Sequence, residues 1–175
     1  MKPLKVTLIS HSDRLGGAAI VTFRLMQALR KAGVDARMIT FVKSSEDKNV
    51  DEACHRNKRS ALFFAERGCI FLQNGFSKKD LFKVSIANTG LHLEEHPWVT
   101  DADVIALNWI NQGMLSLCGI ERLSTLGKPI IWTMHDMWCL TGICHHAHEC
   151  DNYKKQCGNC PYLHFLSSRN DLSHR

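Results

Sequence analysis

Apolar and polar positions along the chain follow two periods in turn, and their order predicts strand, turn, helix, strand. Leu4 to Ser10 has Leu4, Val6, Leu8 and Ile9 apolar and is rich in β-branched residues, the pattern of a buried strand. From Gly17 to Ala32 the apolar positions recur at near-helical spacing (Ala18, Ala19, Val21, Leu25, Met26, Leu29), and Gly33 supplies a stop just after Lys31. Asp35 to Val42 then reads as a second strand. A helix linking two such strands predicts a right-handed crossover and parallel pairing.

The pattern loosens between Lys43 and Val99. Residues Arg59 to Leu72 carry an apolar helical stripe of Leu62, Phe63, Ile70 and Phe71, flanked by Arg56, Lys58, Arg59 and Arg67. A segment of this kind packs on a sheet or, less often, lies on an anionic membrane surface. Phe76 to Val84 has no assignable period. Regularity returns with an apolar strand from Ala102 to Leu107, opened by Asp101 and Asp103. A helix from about Met114 to Leu126 follows, ended by Gly127, and then a strand over Pro129 to Met134. The alternation predicts an α/β fold with a Rossmann-like open, mostly parallel sheet flanked by helices. Ligands of such sheets bind beyond the carboxyl ends of the strands. That rule selects Gly16-Gly17, Asn108-Trp109 and His135-Asp136.

Length and composition narrow this further. With 175 residues, the chain accommodates one α/β domain with a full core and is too short for two of ordinary size. Hydrophobic residues at 45% and charged ones at 22% exclude a disordered chain. The apolar run Val6 to Ile9 is too short for a secretory signal core, and no stretch approaches the roughly 20 apolar residues that span a bilayer. A cytoplasmic protein, peripheral to the inner face of the membrane at most, is expected. The net charge of +5 suits an anionic partner such as a nucleotide diphosphate, a lipid headgroup or nucleic acid, and equally a mildly basic solvated surface.

Three groups of residues carry candidate chemistry. Gly16 and Gly17 lie between a strand and a helix, where backbone N–H groups approach a phosphate at the positive helix end. The full G-x-G-x-x-G fingerprint is absent, so NAD is not supported. His135 and Asp136 follow a strand directly, and a histidine there is able to hydrogen-bond a sugar hydroxyl or act as acid or base near neutral pH.

The third group is Cys144, Cys150, Cys157 and Cys160, spaced C-x5-C-x6-C-x2-C. Eight cysteines without an export signal point to reduced thiols, and four thiolates would close a tetrahedral, structural zinc shell. His145, His146 or His148 could replace one thiolate, an iron–sulfur cluster also accepts four cysteines, and free thiols or disulfides formed on oxidation are the plain alternative. Cys54, Cys69, Cys118 and Cys139 are expected to be buried apolar residues.

Two blocks are familiar. S-H-S-D-R-L-G-G-A-A-I-V-T-F-R-L-M-Q-A-L and W-T-M-H-D-M-W-C-L-T-G-I-C-H, with C-D-N-Y-K-K-Q-C-G-N-C-P after it, resemble the N-terminal domain of bacterial family-four retaining glycosyltransferases, in a branch with a cysteine cluster. The resemblance runs over essentially the whole chain. It implies half of a GT-B fold, in which two Rossmann-like domains face a cleft, the first holding the acceptor and the second the sugar nucleotide. Gly16 and Gly17 would then approach the donor diphosphate and His135, the candidate catalytic residue, would face the donor sugar; Asp136 and Asn108 are candidate binding residues of the same rim.

Transfer would retain anomeric configuration without a catalytic metal, which agrees with a structural role for the cysteines. The acceptor would be a polysaccharide or a lipid-linked glycan. The family's paired glutamates, E-x7-E, belong to the second domain, and the last residues, N-D-L-S-H-R, read as a polar helix start. The expectation is therefore a piece of a longer enzyme that folds without transferring sugar alone. Two other classes compete: a zinc-knuckle nucleic-acid module built on Cys157-Gly-Asn-Cys160 with Lys154 and Lys155, and a carbohydrate-binding module without chemistry.

Overall fold

In the computed structural model, which describes residues 2–165 and 167–174, five strands form one open sheet. They are β1 (Lys5–Ser12), β2 (Asp35–Val42), β3 (Val50–Glu52), β4 (Val104–Leu107) and β5 (Ile130–Trp132). The order is β3-β2-β1-β4-β5 and every pairing is parallel. Leu8 of β1 lies between Met38 of β2 and Ala106 of β4, which makes β1 the centre. Four helices connect the strands: α1 (Gly17–Lys31), α2 (Arg56–Gln73), α3 (Pro97–Thr100) and α4 (Leu117–Ser124). The fold is thus the Rossmann-like α/β sheet that the pattern predicts.

Because β1 is covered on both faces, Val6 to Ser10 are all buried and no polar alternation survives. Successive side chains still go to opposite sides. Val6 and Leu8 join Phe23 and Met26 of α1 in one cluster, while Ile9 joins Ile39, Phe41, Ile105 and Leu107 in another. In α1 the buried set Ala19, Thr22, Phe23 and Met26 steps by three and four, so one stripe faces the sheet.

The departures from expectation have local causes. Helix α4 starts at Leu117 rather than near Met114, because Gln112 and Gly113 take positive φ (59° and 84°) and Ser116 Oγ caps the helix by accepting from Gly119 N at 3.0 Å. Met114 and Leu115 are fully buried ahead of it as part of the core. Strand β5 is short and lies at the sheet edge with Ile131 exposed. Strand β3 has no apolar run to announce it and exists through pairing with β2.

Arg67, one of the cations flanking the apolar stripe of α2, is buried: its Nη1 donates to the carbonyls of Leu81 (2.5 Å) and Val84 (2.8 Å), and its Nη2 lies 3.1 Å from Glu66 Oε2. Arg59 likewise turns inward, donating to the Phe41 carbonyl at 2.8 Å and to Glu52.

Residues 135–165 and 167–174 form an irregular lobe on the carboxyl side of the sheet. Among these described residues the regular structure is two single 3-10 turns, Trp138–Leu140 and Asn152–Lys154, and one antiparallel bridge between Val84 and Cys144. Ile70, Val84, Ile86, Ile143 and Leu163 form a small separate core beneath it. The expected helix start at the C-terminus is instead a turn, because the Asp171 carboxylate accepts from the N–H groups of Cys160, Ser168 and Ser173. Arg175 lies outside the described residues. The expectation of four buried cysteines is corrected too: Cys118 is exposed and Cys54, Cys69 and Cys139 are half-buried. Among the described residues no helix is long and apolar enough to cross a membrane.

Candidate functional site

The carboxyl ends of β1, β4 and β5 are drawn together by backbone bonds. Asn108 N donates to the Ile9 carbonyl (2.9 Å), His11 N to the Trp109 carbonyl (2.7 Å) and Thr133 N to the Leu107 carbonyl (2.9 Å). The loops that leave these strands enclose an open cavity of about 350 Å³. Gly16, Gly17, His135 and Asp136 line it together with Ser10, His11, Trp109 and His146. Asn108 does not line it; its Oδ1 lies 3.2 Å from His135 Nε2.

One wall is the start of α1. Gly16 has φ of 91°, which a side chain would strain, whereas a Cβ on Gly17 would meet nothing within 4 Å. Backbone conformation therefore calls for glycine at the first position, and neither conformation nor packing calls for it at the second. The helix has no side-chain cap at Gly16 and no acidic residue in its first turn, so its positive end is left facing the cavity. Ser10 Oγ is buried at the same wall and has no hydrogen-bond partner among the described residues. A buried hydroxyl without a partner costs about 1–3 kcal/mol, which a ligand oxygen would relieve.

The opposite wall is set by side chains. Asn108 Nδ2 donates to the Ala106 carbonyl at 3.2 Å, so its Oδ1 accepts from His135 Nε2 and leaves His135 Nδ1 as an acceptor. Burial lowers the His135 pKa, offset in part by the Asp136 charge, so the imidazole is neutral at physiological pH. Burial alone would raise the Asp136 carboxyl, but hydrogen bonds from His145 Nδ1 (2.7 Å), Trp138 N (2.9 Å) and Trp109 Nε1 (2.8 Å) outweigh it and hold the group below the usual carboxylate range. Asp136 is thus an ionised joint between cavity wall and lobe, with most of its acceptor capacity already used. His11 lies edge-on to Phe41 and Trp109 with its Nδ1 on the Asn111 carbonyl (3.1 Å), and burial lowers its pKa to about 4.

Ser85, His145 and Asp136 line up as a Ser-His-Asp series, with Ser85 Oγ 3.0 Å from His145 Nε2. Ser85 is 0% exposed and also takes a bond from Arg67 Nη2, so no substrate reaches it and the series is structural. The candidate cysteines are no better as nucleophiles. Burial pushes the Cys144 thiol up and the Cys160 thiol up to about 11.

A second cavity of about 360 Å³ adjoins the first, sharing Trp109, Asp136 and His146 and adding Phe82, Lys83 and Tyr162. Ser10, His11 and His145 are the contributors that pattern reading passed over, whereas Trp109 stands where the strand-end rule points. Ser10 and His11 follow the buried run of β1 directly, so the strand-end rule that picks out the glycines also reaches them. His145 was weighed only as a substitute metal ligand, and its link to Asp136 has no signal in sequence spacing.

Comparison with known proteins adds one relative. Over 68 residues, 38% of this chain, the sequence is 29% identical to the "Putative colanic acid biosynthesis glycosyl transferase WcaC" of Escherichia coli (strain K12). The matched stretch covers 17% of that protein's length. The match and the parallel sheet fit a glycosyltransferase-like domain. No family model and no solved structure matches the chain.

Proposed function

We propose that the chain is the N-terminal, acceptor-side domain of a family-four retaining glycosyltransferase of the GT-B type, with a second domain holding most of the sugar nucleotide. The observation that carries this reading is the single cavity that joins the uncapped start of α1, Gly16, Gly17 and the unpartnered Ser10 hydroxyl to His135 and Asp136. N–H groups at a helix start suit a diphosphate, and Gly17 leaves the space for its approach. His135 Nδ1 accepts from a donor-sugar hydroxyl, and Asn108 fixes the ring that does so. Donors aimed at the departing diphosphate stabilise the charge that develops as an oxocarbenium-like sugar is released.

The adjoining cavity, walled by Phe82, Trp109 and Tyr162, suits the acceptor glycan. The relative's name refers to colanic acid biosynthesis, which favours a polysaccharide or lipid-linked acceptor. Exposed Phe76 and Phe82, in one short segment with exposed Lys78 and Lys79, would let the domain rest on an anionic membrane face where such acceptors are held. A nucleic-acid module at the Cys157–Cys160 knuckle gains little from charge, because Lys154 is paired with Asp151 at 2.7 Å.

The test is an NMR titration of the chain with pyrophosphate and with nucleoside-diphosphate sugars. Binding is expected to shift the Gly17 amide and the His135 ring, and Gly17→Val, which the open space tolerates, is expected to abolish it with the fold intact. No response from the wild-type chain would sink the proposal. Sugar transfer by this chain alone would refute the division of labour between two domains.

A further inference from the structure

The folded chain gathers its four widely spaced cysteines at one place. Cys144, Cys150, Cys157 and Cys160 all line a single cavity of about 20 Å³ inside the lobe. A space of about 10–15 Å³ holds one water, so this one is of single-ion size. Cys144 and Cys160 are buried, and Cys150 and Cys157 are half-buried. Gly142 N donates to Cys157 Sγ at 3.3 Å, an arrangement that suits a thiolate.

The backbone around the cavity is built closely. A Cβ on Gly142 would lie 2.1 Å from the Ser173 carbonyl oxygen, and one on Gly158, whose φ is 141°, would lie 2.4 Å from that of Arg169. Residues 169–173 are thus clamped over the Cys157–Cys160 knuckle. About 40 residues with two single turns and a small core are the kind of segment that a metal commonly staples.

We propose that Cys144, Cys150, Cys157 and Cys160 form a structural zinc site that closes the lobe over the cleft. Zinc takes four thiolates in a tetrahedron with Zn–S near 2.3 Å and leaves no open position for catalysis. Among the described residues no three His, Cys, Asp or Glu side chains are already disposed to hold a metal ion. The thiols therefore draw in around the cavity as the ion binds, each giving up its proton, and the irregular segment that carries them has no long helix or strand to resist the movement. An iron–sulfur cluster, with several atoms to accommodate, does not suit a space of this size. Cys144 is next to His145, whose Nδ1 holds Asp136 at 2.7 Å, so the metal also steadies the rim of the candidate site. None of this depends on the transferase reading.

The test is metal analysis of the whole chain purified under reducing conditions, followed by cobalt substitution. One zinc per chain is expected. Cobalt should give the thiolate charge-transfer and intense visible bands of a tetrahedral sulfur site, and zinc should displace them. Cys157→Ser and Cys160→Ser should lose the metal, while Cys118→Ser, at an exposed cysteine outside the set, keeps it. Because a ligand variant could fail through misfolding, the cobalt titration of metal-free wild-type protein is the deciding arm. A folded wild-type chain that gives no such bands overturns the proposal. So does an iron–sulfur chromophore, a disulfide between these cysteines in freshly reduced protein, or a zinc content unchanged in the double Cys157→Ser/Cys160→Ser variant.

Discussion

The sheet and the lobe that covers its carboxyl edge are held together by different physics. In the sheet, Leu8, Ile9, Met38, Ile39, Phe41 and Leu107 are all 0% exposed, and each large apolar side chain so placed stabilises the fold by about 1.5–3 kcal/mol. The lobe and the 81–87 segment it packs on share a small core, and beyond it rely on polar joints: Arg67 on the Leu81 and Val84 carbonyls, Glu66 on the Ile86 and Ala87 N–H groups, Asp136 among His145, Trp109 and Trp138, and Asp171 on three backbone N–H groups. Apolar contacts are numerous and individually replaceable. A buried charge network fails as a unit when one member is removed.

The largest effect that would separate the two regions is expected at Arg67. Arg67→Leu leaves the Glu66 carboxylate buried without its cation and should cost about 3–5 kcal/mol. The loss should appear in hydrogen exchange first at residues 81–87 and in the lobe, with β1 and β2 protected longest. Uniform loss of protection across the sheet would show that the two regions unfold as one.

A smaller effect is expected on acidification, and it belongs to the sheet side. His11 has a pKa of about 4 in the fold against about 6.5 when unfolded. The folded value is depressed, so on lowering the pH the unfolded chain takes up the proton first, and stability falls between pH 6.5 and 4. At about 1.4 kcal/mol per pH unit this amounts to at most about 3.5 kcal/mol, reduced because the half-buried ring borders the open cavity. The carboxylates held low, Asp13, Asp136 and Asp171, lose their contribution at lower pH, as each is protonated. Urea midpoints at pH 7 and 4.5 should therefore differ more for wild type than for His11→Gln. Equal differences would show that His11 is not the source.

The smallest effect concerns the exposed aromatic and basic surface beside the lobe. Binding to vesicles with anionic lipid is expected at low salt, and Lys78→Ala should weaken it by about 1 kcal/mol, roughly fivefold. Flotation that shows no wild-type binding at low salt would remove membrane contact from the proposed function.

The architecture was readable because each element of the βαβ start carries its own period. The all-apolar β1, the three-and-four stripe of α1 and the stop at Gly33 each state their structure locally. Where local signals were weak or came from elsewhere, reading fell short. The start of α4 depends on a capping bond from Ser116 and on positive φ at Gln112 and Gly113, and β3 depends on a partner strand. The burial of Arg67 was not legible because a helical stripe says which residues share a face and says nothing of the loop that later covers it.

The same division runs through the candidate site. Sequence by itself determined β1, β2, β4 and β5, the glycine turn after β1 and the positions of His135 and Asp136 after a strand, because strand ends and turns follow from short-range pattern. Only the tertiary structure decided that Ser10 is buried without a partner, that Asn108 orients His135, that His145 holds Asp136, and that four cysteines line one small cavity. Those relations join residues up to 27 positions apart through space, and parallel pairing of β1 with β4 brings the more distant Ser10 and Asn108 to the same end of the sheet. Chain period encodes which way a side chain faces, whereas packing alone selects what it meets there.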